Sequence, residues 1–297
     1  MNYNYDYSVI GGDDRQVHLT NILSKKGKRV CHYGLCSHKL QSHFNDAAYK
    51  ATTPEEAIRA APYIIGPIPF CRNGILFQQT SNPKQWTPTD FLPHFSKGQL
   101  IFAGCIPKSF KEQASQRDVK VFDLMENLSF CRFNTIATAE GAICEAIRES
   151  PINLHGSRCA ILGYGNCGTT LSYYLKGMFC RTFVASNVEA EISKASLIAE
   201  QAGTLTDFYK KLNRFDFIFN TIPSTILTNE HLSKVKPEVT IIDIASAPGG
   251  LNHQYAAEKE IFSKLCPGLP GTYAPLSSAE IIQKTIENLL KEEAKCL

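Results

Sequence analysis

The sequence predicts two α/β domains, each a doubly wound parallel sheet of the Rossmann type, with an interdomain cleft between them. Three observations carry this. Arg158-Cys159-Ala160-Ile161-Leu162 reads as a buried strand running into Gly163-Tyr164-Gly165-Asn166-Cys167-Gly168. A helical pattern from Thr169 to Met178 and a second strand, Arg181 to Ala185, follow at the spacing of a dinucleotide-binding βαβ unit. The chain also opens with a similar unit: strand Tyr5 to Ile10, Gly11-Gly12, a helix to about Lys26, then strand Lys28 to Tyr33. The interval from Gly11 to Gly34 equals that from Gly163 to Ser186. Lastly, 297 residues that are 43% hydrophobic supply two cores.

Composition excludes several classes. The net charge of +3 is small and there is no Lys/Arg run, which argues against nucleic acid or an anionic membrane surface as partner. No apolar stretch is long enough to span a bilayer, and Met1 to Asp6 is too polar to read as a signal peptide. Eleven cysteines with no C-x-x-C pair fit neither a disulfide framework nor a zinc site. Cys31, Cys105, Cys144, Cys159, Cys180 and Cys266 have apolar neighbours and are expected to be small buried hydrophobes in a reducing cytoplasm.

In chain order, the first domain is expected over 1–130. In its opening unit Asp13 and Gln16 stand where a phosphate site needs glycines, so that unit is not expected to hold a nucleotide. Asp13 or Asp14 serves as helix N-cap, and Arg15 and Gln16 either support that turn or hold an anionic substrate. Pro54 and the acidic Glu55 and Glu56 mark a helix from Thr53 to Ala60, and Ala61 to Ile65 is a strand. Cys71 to Pro93, with the one tryptophan, Trp86, reads as a long irregular connection. Gln99 to Ala103 and Val119 to Phe122 are strands around a helix from Pro107 to Gln116. A linker helix is expected over 131–150, with Thr138 as N-cap and Glu140 in its first turn.

The dinucleotide domain is expected over 151–276. Ala202 to Leu205, Phe215 to Asn220, Val239 to Ile244 and Ile261 to Cys266 complete its sheet. Gly163 allows the tight turn, Gly165 the approach of a pyrophosphate, and Gly168 close packing of helix on strand. Tyr164, Asn166 and Cys167 complete that loop. Where an NAD site carries Asp or Glu, this chain has Ser186 and Asn187, with Arg181 and Lys194 nearby; that predicts NADP(H). Loops holding Thr221, Ile222 and Pro223, then Ser246 and Gly249, then Gly268, follow the later strands and are expected to ring the nicotinamide. Ser277 to Glu293 is an amphipathic helix, and 277–297 is expected to pack back across the cleft or onto the first domain.

Gly11-Gly12-Asp13 with Arg15-Gln16, Asn134 to Gly141, the fingerprint, Asn220 to Ser224, Pro248-Gly249-Gly250 and Pro267 to Gly271 together resemble the family of the A subunit of bacterial dipicolinate synthase, in collinear order along nearly the whole chain. The resemblance implies a fold like the formate and 2-hydroxyacid dehydrogenases, and NADP-linked formation of dipicolinate from a dihydrodipicolinate-type precursor. The implied setting is the mother-cell cytoplasm of a sporulating bacterium, with the flavoprotein-like B subunit of dipicolinate synthase as partner. Relatives can carry arginine where this chain has Asn166 and Asn187, and another in the loop where it has Ala247. For this chemistry Arg15 is the first choice to clamp a carboxylate, with Gln16, Asn134, Thr138, Ser246 and Gly249 as further substrate contacts. Glu140 and His155 are the candidate bases. There are two alternatives. One is a dehydrogenase for another small acid, which needs an Arg and a His–carboxylate pair near the nicotinamide; the other is a non-catalytic NADP-binding regulatory subunit. A homo-oligomer is compatible with either.

Overall fold

The computed structural model describes residues 3–35, 48–76 and 85–295. Two units emerge: 1–131 with 274–297, and 132–273. The first contains β1 (Tyr7–Ile10), α1 (Asp14–Lys25), β2 (Val30–Tyr33), β3 (Ala48–Lys50), α2 (Pro54–Ala60), β4 (Tyr63–Ile65), β5 (Cys71–Arg72), β6 (Ile75–Leu76), α3 (Pro88–Phe91), β7 (Leu100–Ala103), α4 (Lys108–Ser115) and β8 (Lys120–Asp123). Its sheet runs β3-β2-β1-β4-β7-β8, parallel throughout. β1 and β2 are buried at every position, as strands covered on both faces must be, so their runs are apolar rather than alternating.

Part of the stretch read as irregular is ordered: β5 and β6 form a hairpin closed by Asn73-Gly74, both at positive φ. Residues 77–84 of that stretch lie outside the described residues. β3, an edge strand without a buried side chain, was not expected.

Helix α5 (Leu128–Glu149) begins well before Thr138. Its start is fixed by Asn127, whose Oδ1 accepts from the Phe130 amide at 2.9 Å. Thr138 therefore lies inside the helix, where its hydroxyl donates to the Asn134 carbonyl one turn back at 3.0 Å, and it is not the N-cap.

The second unit contains β9 (Arg158–Leu162), α6 (Asn166–Gly177), β10 (Arg181–Ala185), α7 (Glu189–Ala195), β11 (Gln201–Gly203), α8 (Leu205–Tyr209), β12 (Phe217–Asn220), α9 (Asn229–Leu232), β13 (Thr240–Asp243), α10 (His253–Glu258), β14 (Phe262–Leu265) and α11 (Leu269–Tyr273). The order β11-β10-β9-β12-β13-β14, all parallel, is the Rossmann arrangement, with the order reversing at β9. α12 (Pro275–Glu293) returns to the first unit, where Ala279, Ile282 and Ile286 join Val17 and Leu23 of α1 in one core. An ion pair from Lys26 to Glu287 at 3.1 Å flanks that contact.

Three cysteine expectations are corrected, Cys180 being only half-buried. Cys105, at φ 53° in the loop after β7, and Cys144, on the outer side of α5, are exposed, because apolar neighbours in sequence need not share a face. Among the described residues no helix is long and apolar enough to cross a membrane, and no His/Cys/Asp/Glu group has metal-site geometry.

Candidate functional site

Everything expected of a dinucleotide loop meets at the carboxyl end of β9. Gly163 sits at φ +90°, and a Cβ on it would come within 2.5 Å of Thr221 Oγ1. A Cβ on Gly168 would meet the Gly163 carbonyl oxygen at 2.1 Å, so helix and turn close only because both residues are glycine. Gly165 differs: it is the N-cap of α6, and a Cβ there would meet nothing within 4 Å. Open space therefore lies before a helix end whose cap carries no side-chain acceptor, the geometry that receives a pyrophosphate. Asn166 is exposed and Cys167 half-buried in that first turn, while Tyr164 is buried. Thr221 donates through its amide and its hydroxyl to the Leu162 carbonyl, both at 2.9 Å, which ties the loop after β12 to the fingerprint strand.

The end of β10 departs from the sequence reading. Ser186 is buried and Asn187 exposed, but a carboxylate does stand there. Glu191 reaches back from the first turn of α7 and accepts from Ser186 Oγ at 2.5 Å and from the Tyr164 amide at 3.3 Å. The expectation of an edge free of negative charge is thus corrected: the helix turn returns an acid that lies outside the strand-end position. Nor does Arg181 face this edge, for it starts β10 at the other end and pairs with Glu200 at 2.8 Å.

At the ends of β12 and β13, Asn220 and Asp243 are opposite in register and both fully buried. Asp243 accepts through Oδ1 from Asn220 Nδ2 at 2.9 Å and the Ala245 amide at 3.1 Å. Through Oδ2 it accepts from the Gly250 amide at 2.7 Å and lies 3.3 Å from His253 Nε2. His253 Nδ1 then faces Ser263 Oγ at 2.9 Å. Asn220 also bonds the Ile222 amide and carbonyl at 3.1 and 3.0 Å. One carboxylate and one amide therefore shape both loops, leaving Pro223, Ser246, Ala247 and Pro248 exposed along them. Gly249, at φ +94°, is required there, since a Cβ would come within 2.5 Å of Asp243 Oδ2. The pair His253–Asp243 is the histidine–carboxylate contact the sequence did not reveal, but its carboxylate is turned wholly inward to hold the loop. Gly268, at φ +74°, begins the turn into α11.

The expected bases lie elsewhere. Glu140 is exposed on α5 and accepts from Tyr174 OH at 3.0 Å, about 12 Å along α6 from its N-terminus. Its partner is thus on a neighbouring helix. His155 precedes β9, its ring 5.4 Å from that of Phe179, at the amino end of the sheet and roughly 16 Å from the fingerprint. A strand's length separates it from the ligand edge. Asn134 and Thr138 occupy successive turns of α5, half-buried.

In the first unit Asp13 is the N-cap of α1 in a capping box with Gln16. Arg15 is almost fully buried and its Nε and Nη2 donate to the two Asp13 oxygens at 2.8 and 2.7 Å; Nη2 also donates to the Ile68 carbonyl. Arg15 thus has its carboxylate within its own turn, which corrects its place as a clamp open to substrate. Gln16 Nε2, by contrast, is buried and has no partner among the described residues. Arg72, on the β5–β6 hairpin, was missed; burial lowers its pKa, Asp13 raises it and Arg15 lowers it, which brings its charge to the same loop. Arg15→Ala is expected to cost about 3–5 kcal/mol, because Asp13 keeps its cap bond to the helix but loses its cation. Urea unfolding measures this, and a variant as stable as the parent would show that the pair carries no weight.

Residues 6–125 match the family described as the N-terminal domain of the dipicolinate synthase A subunit, and 130–250 match the NAD binding domain of D-isomer specific 2-hydroxyacid dehydrogenases. The dipicolinate synthase A subunit of Bacillus subtilis (strain 168) is 29% identical over 286 residues, 96% of this chain and 95% of that one. The crystal structure of the Bacillus subtilis protein has a TM-score of 0.81 at 28% identity, covering 99% of each chain. That of the corresponding subunit from Bacillus halodurans gives 0.82 at 24% identity, over 96% of this chain and 97% of that one. The second unit is thus a nicotinamide-dinucleotide domain of the dehydrogenase type.

Proposed function

We propose, on the premise that this chain is a relative of the dipicolinate synthase A subunit, that it is the dehydrogenase component forming dipicolinate, pyridine-2,6-dicarboxylate, from a dihydrodipicolinate-type precursor. Likeness to that protein along 96% of the chain carries the reading. The complete fingerprint before an α6 end without a side-chain cap supports it, since those residues fit a pyrophosphate. The bound nicotinamide supplies a hydride acceptor. The substrate ring loses a hydride and a proton and becomes aromatic, so the step is downhill and requires positioning more than a strong base. That suits a site whose sequence-predicted bases, Glu140 and His155, stand away from the ligand edge. The loops held by Asn220 and Asp243 orient the nicotinamide end, with Ser246 and Gly249 as substrate contacts. Asn134 and Thr138 are kept as further ones. In the first unit, Gln16 Nε2 and the Arg72 guanidinium take the place of Arg15 as that unit's own anion contacts. The partner is the flavoprotein-like B subunit of the synthase, and the setting is the sporulating mother cell.

The test follows nicotinamide absorbance and dipicolinate in the purified chain, alone and with its partner, from a freshly generated precursor. Dinucleotide binding without turnover in both preparations would instead make this chain a regulatory subunit.

Within the nicotinamide dinucleotides, the preference turns on Glu191. NADP(H), expected from Ser186 and Asn187, requires that carboxylate to leave Ser186, because it would face the 2′-phosphate; a 2′-hydroxyl would donate to it. Glu191→Gln is expected to shift the affinity ratio about tenfold or more toward NADPH over NADH. Fluorescence titration with both cofactors checks this, and an unmoved ratio would take Glu191 away from the ribose.

A further inference from the structure

A second recess in the dinucleotide unit lies at the opposite edge of its sheet, at the amino ends of β9, β10 and β11. Its volume is about 110 Å³ and it opens to solvent. Arg158, Arg181, Lys211 and Arg214 line it with a single carboxylate, Glu200, an excess of three positive charges. The charges are not equally committed. Arg181 pairs with Glu200 through two nitrogens, at 2.8 and 3.2 Å. Lys211 donates to Gln201 Oε1 at 3.1 Å and lies 4.8 Å from the centre of the Phe183 ring. The side chains of Arg158 and Arg214 are exposed, and among the described residues neither makes a hydrogen bond or ion pair. Asp216 is engaged by Lys236 at 2.5 Å and by the Arg158 amide at 2.8 Å. Two arginines whose side chains make no hydrogen bond among the described residues, Arg158 sharing only the charge of Glu200, stand beside two further cations in one concave site and hold potential that a single carboxylate does not cancel.

We propose that this recess binds a compact polyanion, a small molecule with at least two neighbouring phosphate or carboxylate groups. Arg158 and Arg214 provide the free forks, and Arg181 and Lys211 fixed positive charge. A monoanion would leave most of the excess uncompensated, and the lining offers polar tips rather than apolar surface, so a greasy ligand is not expected. The site is separate from the dinucleotide loops, a strand's length away, and stands independently of the function proposed above.

The test is calorimetric titration at fixed ionic strength with inorganic pyrophosphate and, separately, with malonate. Both are run in the Gly165→Asp chain, so that the α6 end cannot take the anion. Saturable one-to-one binding is expected, weakened roughly tenfold in Arg158→Gln/Arg214→Gln and strengthened in Glu200→Gln. Binding of pyrophosphate alone assigns a phosphate ligand; binding of malonate alone assigns a dicarboxylate. No binding of either anion, or binding that neither variant changes, overturns the proposal. Circular dichroism of the variants, whose changed side chains are all exposed, confirms the fold.

Discussion

Asp243→Ala is expected to remove about 4 kcal/mol or more from the stability of the dinucleotide unit. The carboxylate is fully buried and receives the Asn220 amide, the Ala245 and Gly250 backbone amides and the His253 ring. Truncation leaves those donors without an acceptor, and each buried orphan costs about 1–3 kcal/mol. Asp243→Asn separates this from packing. It keeps the volume but turns one acceptor into a donor, which must face either Gly250 N and His253 or Asn220 Nδ2 and Ala245 N. A loss of about 2 kcal/mol is expected from that mismatch, together with a loosened loop from Ala245 to Gly250. Urea unfolding gives the stabilities. If the asparagine variant matched the parent, the loop would be held by shape alone.

The sheets were legible because their strands are covered on both faces. β1, β12 and β13 are buried at every position, so continuous apolar runs gave them away. β3 has no buried side chain, and its composition said nothing. Two misreadings had signals in plain view. Asn73-Gly74 is a hairpin dipeptide. Asn127 was the cap of α5, while Thr138 carried the same chemistry inside it, bonded one turn back.

The dinucleotide fold was legible where its signal is local. The fingerprint needs only a strand, three glycines and a helix. It was misread where a side chain returns through space. Glu191 completes the edge of β10 from a turn of α7, and the strand-end residues alone could not show it. Arg15 is a different case. Its partner is two residues away, and the pairing was one of the two outcomes open from sequence; only burial on both sides decides it. Glu140 and His155 were hard to place from sequence because a position along the chain does not say which neighbour a helix face meets or which end of a parallel sheet a residue occupies.

Gly165→Asp is expected to abolish dinucleotide binding, at least a hundredfold in affinity, while leaving the protein as stable as before or slightly more so. The two effects share one cause. Gly165 is the N-cap of α6, its backbone extended at φ −68° and ψ −162°, and a Cβ there meets nothing within 4 Å. Aspartate adopts that conformation without strain, and its carboxylate accepts from first-turn amides of the helix. Replacing glycine at a cap gains a few tenths of a kcal/mol, and a negative charge at the helix end adds about 0.3–1 kcal/mol. The same carboxylate then occupies the place of the pyrophosphate and repels it. Thermal unfolding and NADH and NADPH titrations on one preparation read both effects. Lost binding with lost stability would mean only a damaged fold. Retained binding in a stable variant would move the cofactor away from α6. Lost binding with stability kept is the result that places a phosphate at this helix end.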